Sequence, residues 1–160
     1  MGHYPSVLSR VYTQELYFLE EDKAMSKGEE KIITLLQKGK YKFEREKRFN
    51  DLKKGLYRFD FYVLRAGRPV LIELNGAQHY EHVKKFHPTR AEFEGAKERD
   101  RRKISYALAK GIPLYIIPFW ELENLNKSAD LFRREYLAQN RWKNDLDWQR
   151  YQNLTKRKKI

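Results

Sequence analysis

The feature that most narrows the fold is a pair of short apolar runs, RFDFYVL at 58–64 and VLIELNG at 70–76, joined through the turn R-A-G-R. Strands are expected at about 57–64 and 69–74, with Gly67 available for a positive φ between them. Side chains alternate across a strand, so Phe59, Phe61 and Val63 should face one way and Arg58, Asp60, Tyr62 and Leu64 the other. In the second run Val70, Ile72 and Leu74 share a face, opposite Leu71, Glu73 and Asn75. An earlier segment, YKFEREKRF at 41–49, also reads as a strand. A long basic helix is expected over about 90–110, stopped by Gly111 and Pro113. The apolar run PLYIIPF, 113–119, then reads as a strand buried on both faces. A strand that follows a helical crossover can lie parallel to one already in the sheet, so the expectation is an α/β sandwich with a mixed sheet.

The flanks read as helical. S-K-G-E from Ser26 to Glu29 is a capping-box signature and opens a helix over about 27–38, closed by Gly39. Before it, Val7, Leu8, Val11, Leu16 and Leu19 recur at roughly helical spacing. Residues 79–89, HYEHVKKFHPT, read as a loop or lid containing His82 and His87, and 121–155 as mostly helical and polar. A chain of 160 residues suits one domain. It divides into an N-terminal helical extension (1–25), a core (26–122) and a basic helical C-terminal extension (123–160).

The formal charge of +12, from 34 Lys and Arg against 22 Asp and Glu, points to a polyanionic partner. Aromatic side chains make up 14% of the chain, which argues against a merely disordered basic tail. No run approaches the ~20 apolar residues of a spanning helix, and MGHYPSVLSR lacks the apolar core of a signal peptide. Nucleic acid is therefore favoured over membrane, and a cytoplasmic location is expected. Cysteine is absent, which excludes disulfides and thiolate metal sites. Any metal site should be hard and oxygen-rich.

Asp60 and Glu73 are the residues that suggest chemistry. Each strand aims one carboxylate at a shared face, and like charges that close need a cation between them. Two carboxylate oxygens, a backbone carbonyl and waters would suit Mg²⁺. The bland reading leaves one acid on an edge and pairs the other with Arg58 or a helix lysine.

F-D-F-Y-V, the turn, I-E-L-N-G-A-Q-H-Y and a helix with R-D-R-R-K together resemble the PD-(D/E)XK nuclease superfamily. More narrowly, they resemble its Vsr-like branch, related to the very-short-patch repair endonuclease and including phage homing endonucleases with an E-D-x-H-D constellation. The resemblance covers about 26–120 and implies a restriction-endonuclease-like α/β/α sandwich. It places the family's helical glutamate at Glu29, its strand aspartate at Asp60, its variable second-strand position at Glu73, its histidine at His79 and its later aspartate at Asp100. It implies that Asp60, Glu73 and the backbone carbonyl of Leu74 bind Mg²⁺, with Mn²⁺ as an alternative. The chain departs from E-x-K at Asn75, where the motif would supply lysine, which leaves the general base open.

Each further candidate has a structural alternative. Glu29 belongs to a capping box, yet sits at the margin of the stripe Ile32, Ile33, Leu36. Gln78 either bonds its own loop or holds the attacking water, and His79 is a surface residue or an acid–base group. Asp100, within E-R-D-R-R-K, is part of a solvated helix face or orients His79. Lys103 shares its helix face and could touch the scissile phosphate.

For DNA the basic candidates are Arg101, Arg102 and Lys103, then Arg133, Arg134, Arg141 and Lys143, and last Lys156, Arg157 and Lys158. Tyr136, Trp142, Trp148 and Tyr151, interleaved with these charges, either stack on bases or pack. The expectation is a metal-dependent DNA endonuclease, of homing or phage type, acting on duplex DNA. A dimer would serve double-strand cleavage. A junction-selective nuclease and a non-catalytic DNA-binding module stay open.

Overall fold

The computed structural model describes residues 25–76 and 89–137. Its elements are α1 (Lys27–Lys38), β1 (Lys42–Arg48), β2 (Arg58–Arg65), β3 (Arg68–Asn75), α2 (Arg90–Lys110) and β4 (Leu114–Pro118). Short 3₁₀ turns cover Lys53–Gly55, Phe119–Asn124 and Ser128–Phe132. The strands lie in the order β1-β2-β3-β4, with β1, β2 and β3 antiparallel and β4 parallel to β3. The chain is thus α/β with a four-stranded mixed sheet, as the crossover pattern required.

The element boundaries follow local chemistry. Ser26 caps α1 by accepting the Glu29 amide at 3.1 Å, and Gly39 closes it. Thr89 caps α2 in the same way through the Glu92 amide, and Gly111 ends it in the left-handed conformation. At the β2–β3 turn Ala66 (φ 51°) and Gly67 (φ 75°) are both left-handed, the backbone of a primed turn that matches the strand twist.

Each face of the sheet carries one helix. Ile32, Ile33, Leu35 and Leu36 of α1 pack on Phe43, Phe61, Val63, Val70, Ile72, Tyr115 and Ile117. Ala107 of α2, with Ile104 and Tyr106 beside it, packs on Phe59, Leu71 and Leu114. Full burial of each aliphatic or aromatic side chain stabilises by about 1.5–3 kcal/mol, so the α1 face carries most of the apolar gain.

The described part of the expected C-terminal helix differs from the sequence reading. In place of an α-helix from 121 onward, 3₁₀ turns cover Phe119–Asn124 and Ser128–Phe132, and Leu125, Leu131 and Phe132 are buried in the α1-side core. The following segment lies along the outer edge of β4: Tyr115 bridges Glu135, the Ile116 amide donates to the Arg134 carbonyl, and the Tyr136 amide donates to the Leu114 carbonyl. Covering that edge removes an exposed row of unpaired backbone groups. Residues 123–137 are therefore part of the packed unit. The expected helix within 6–24, the lid and the remainder of the C-terminal extension lie outside the described residues.

Candidate active site

The site begins where the sheet loses its regularity. Phe59, Phe61 and Val63 are all buried, as alternation predicts, yet Phe61 and Val63 join the α1-side core while Phe59 joins the α2-side cluster. The neighbouring strand changes face at the same level. Arg45 reaches Glu29 of α1, whereas Lys47, two residues on, lies over the Phe49 and Tyr62 rings on the α2 side. Between Arg45 and Lys47 sits Glu46 with φ 52°, at the position where the β1–β2 pairing skips from Arg45↔Phe61 to Lys47↔Phe59. A local irregularity of this kind re-aims side chains. The expectation that Phe59 faces with Phe61 is corrected accordingly.

The β2–β3 ladder also ends here, at Phe61↔Ile72. Beyond it the strands are linked through their acids. The Asp60 amide donates to Glu73 Oε1 at 3.2 Å, and the Leu74 amide donates to Asp60 Oδ2 at 2.8 Å. The two carboxylates do meet, but across a broken ladder rather than as an ordinary cross-strand pair.

Lys103 of α2 completes the group. Its Nζ stands 2.8 Å from Glu73 Oε1 and 5.1 Å from the Phe59 ring centroid, and its side chain is only 13% exposed. Burial pushes the Glu73 carboxyl well above the usual carboxylate range. The charge on Asp60 adds to the rise, Lys103 opposes it by charge and by hydrogen bond, and Asp100 raises it further. Asp60 and Lys103 thus touch Glu73 directly, and Asp100 is near enough for its charge to reach it.

A cleft of ≈ 340 Å³ opens over this group, lined by Glu29, Glu46, Leu56, Tyr57, Arg58, Asp60, Arg99 and Lys103. Glu29 enters it from the first turn of α1, held by Ser26 Oγ at 3.2 Å and Arg45 Nη2 at 2.9 Å. Gly28 lets that turn come close: a Cβ there would lie 2.7 Å from Leu74 Cδ2 and 3.0 Å from Leu122 Cδ1. Lys31 Nζ donates to the Leu122 carbonyl and fixes the same approach.

Four of the sequence candidates, Glu29, Asp60, Glu73 and Asp100, thus belong to one neighbourhood. Lys103, expected on the DNA surface, is turned inward onto Glu73. Arg101 and Arg102 are exposed and share Glu98, at 3.0 and 3.2 Å. Arg133 pairs with Asp130 and Arg134 with Glu121, away from the cleft lining. Gln78, His79, Arg141, Lys143, Lys156, Arg157 and Lys158 lie outside the described residues.

Sequence reasoning missed Arg45 and Arg99. Arg45 had a legible signal in its strand parity with the apolar Phe43; the structure buries both. Glu46 had none, because nothing marks a non-glycine residue in advance for positive φ.

The donor set is hard, consisting of carboxylates and carbonyls. Among the described residues, three or more His, Asp or Glu side chains are nowhere arranged as a ready metal cage. What Asp60 and Glu73 fit is a largely hydrated ion held by few carboxylates. Comparison of the chain with protein-family models, curated proteins and solved structures returned no match. Among the described residues no helix is long and apolar enough to cross a membrane.

Proposed function

We propose that the chain is a metal-dependent DNA endonuclease with the restriction-endonuclease-like sandwich of the PD-(D/E)XK superfamily, in its Vsr-like branch and of phage or homing type. The observation that carries this reading is the meeting of Asp60 and Glu73 at the broken β2–β3 ladder, with Lys103 against Glu73 and a cleft above. Asp60, Glu73 and the Leu74 carbonyl would hold Mg²⁺ or Mn²⁺. Such an ion, when bound, stabilises charge on the non-bridging phosphate oxygens.

The chain's own groups do the rest. Burial of Glu73 raises the worth of any cation beside it, because charge interactions strengthen as water is excluded. Lys103 holds Glu73 in position. Glu29, fixed by Arg45, presents a carboxylate on the cleft wall for a water or a ligand proton. Asn75 offers no ammonium, so Gln78 and His79 are proposed to orient and deprotonate the attacking water, with Asp100 orienting His79. The +12 charge supplies affinity for duplex DNA and a steep loss of binding with salt. This reading places the protein in the cytoplasm of a bacterial or infected cell, with dimerisation one route to a double-strand break.

Incubation with supercoiled plasmid tests the reading. Native protein should nick or cut in Mg²⁺ or Mn²⁺ and stop in EDTA, while Asp60→Ala and Glu73→Ala should each lose on the order of 10²-fold or more. Unchanged cutting by both variants would sink the assigned site. DNA binding with no cutting by native protein would leave a non-catalytic module, and preference for four-way junctions over linear duplex would mark a junction nuclease.

A further inference from the structure

Arg58, Arg99 and Lys103 are the cations lining the cleft, and their charges are not equally available. Lys103 is turned onto Glu73 at 2.8 Å, with its side chain only 13% exposed, so its charge is neutralised within the protein. Arg58 pairs with Glu46 at 3.3 Å, and both residues line the cleft. That pair is half exposed and weakly held. A phosphate that drew Arg58 away would still face Glu46, so the pair brings the cleft no net charge. Arg99 is exposed, and among the described residues no carboxylate pairs with it.

The helix itself leaves Arg99 unpaired. Its neighbours on the helix surface, three and four positions away, are Gly95, Ala96, Arg102 and Lys103, none of them acidic. The adjacent Glu98 accepts from Arg101 and Arg102 instead, at 3.0 and 3.2 Å. A long helical side chain leans back over the preceding turn, which here is Gly95 and Ala96. Among the described residues nothing lies within 4 Å of a Cβ built on Gly95, so the approach to Arg99 is open. Arg99 thus stands on the cleft wall one helical turn from the lysine that touches Glu73.

We propose that Arg99 is the phosphate-binding residue of this cleft: its guanidinium takes the non-bridging oxygens of the phosphodiester to be cut, in the two-point geometry that its planar fork matches. The inference rests on the nuclease reading, and it adds the side chain that seats the substrate. With Lys103 held by Glu73 and Arg58 by Glu46, Arg99 is the cleft cation left to meet an anion from solution.

Binding and cutting are measured separately. Anisotropy of a fluorescein-labelled duplex in EDTA, from about 50 to about 200 mM salt, follows phosphate contacts with catalysis silent. Arg99→Gln should weaken binding about tenfold. It should also make the slope of log K against log salt shallower by about 0.9, the value for one phosphate contact on duplex DNA. Arg68→Gln removes one charge at the β2–β3 turn, outside the cleft lining, and should keep the native slope. In Mg²⁺ or Mn²⁺, Arg99→Gln should cut plasmid on the order of 10²-fold more slowly. Arg99→Lys should keep the slope yet cut more slowly than native protein, because an ammonium cannot make the two-point contact. Should circular dichroism show Arg99→Gln unfolded, Arg99→Met takes its place with the same expectations. A native slope for Arg99→Gln, or an equal change for Arg68→Gln, overturns the proposal, as does failure of native protein to bind the duplex. A shallower slope for Arg99→Gln alone, with no cutting by native protein, would reject the nuclease reading and leave the phosphate seat intact. Equal cutting by native protein and Arg99→Gln would do the reverse.

Discussion

The two faces of the sheet are built to different ends. On one, α1 buries Ile32, Ile33, Leu35 and Leu36 within a 12-residue helix and meets a nearly continuous apolar surface. On the other, α2 runs for 21 residues and fully buries only Phe93 and Ala107. Beside Ile104 and Ala107, two of its residues are tied to acids: Lys103 to Glu73, and Tyr106 to Asp51 at 2.5 Å. The α1 face holds the fold together, while the α2 face gives up apolar contact to bring charge to the sheet. A helix with fewer apolar positions committed to packing is the one able to present a cation.

The contrast can be broken most severely from the α1 side. Leu36→Ala, in the fully buried core, should cost about 2–5 kcal/mol of unfolding free energy in denaturant titration. Cleavage per folded molecule should stay near native. A selective loss of cleavage at unchanged stability would show that the two faces are not separable.

A smaller effect should appear on the α2 side as a slope against pH. Glu73 is raised in the folded chain above its ordinary value of 4.5, chiefly by burial. The folded state therefore holds that proton more tightly, and the stability it contributes is complete below pH 4.5 and lost as pH rises through the elevated folded value. In EDTA the melting temperature of native protein should fall relative to Glu73→Gln as pH rises from 4.5 towards neutrality, and Mg²⁺ should recover part of the difference. Parallel melting curves for the two proteins across that range would remove the buried carboxylate from the account.

The smallest effect tests the seam between the faces. Ser26→Ala removes the α1 cap and one holder of Glu29, and should cost about 1 kcal/mol. Because Arg45 still holds the Glu29 carboxylate, cleavage should fall less than for Arg45→Met. The opposite ranking would make the cap, rather than the arginine, the positioning contact.

Much of this organisation was legible beforehand. The period-two pattern of 58–75 located β2 and β3, and the stops at Gly39 and Gly111 ended both helices where they end. The run PLYIIPF after a helical crossover required a strand able to lie parallel to β3, and β4 does. Strand parity also brought Asp60 and Glu73 to one neighbourhood. Parity failed between Phe59 and Phe61, which face opposite cores, beside a positive φ at Glu46 that its side chain does not announce. The helical expectation from 121 onward also failed over its described part, where burial of Leu125, Leu131 and Phe132 in the α1-side core goes with short 3₁₀ turns.

What the sequence determined by itself is therefore local: which segments extend, which coil, where they stop, and that two acids fall within apolar strands. Only the tertiary structure decided that Lys103 turns in rather than out and that Arg45 clamps Glu29. It also decided that the β2–β3 ladder opens at the level of the acids. These contacts join residues 13 to 30 positions apart in different elements, and their strength comes from excluding water, a property of the assembled layers and not of any one segment.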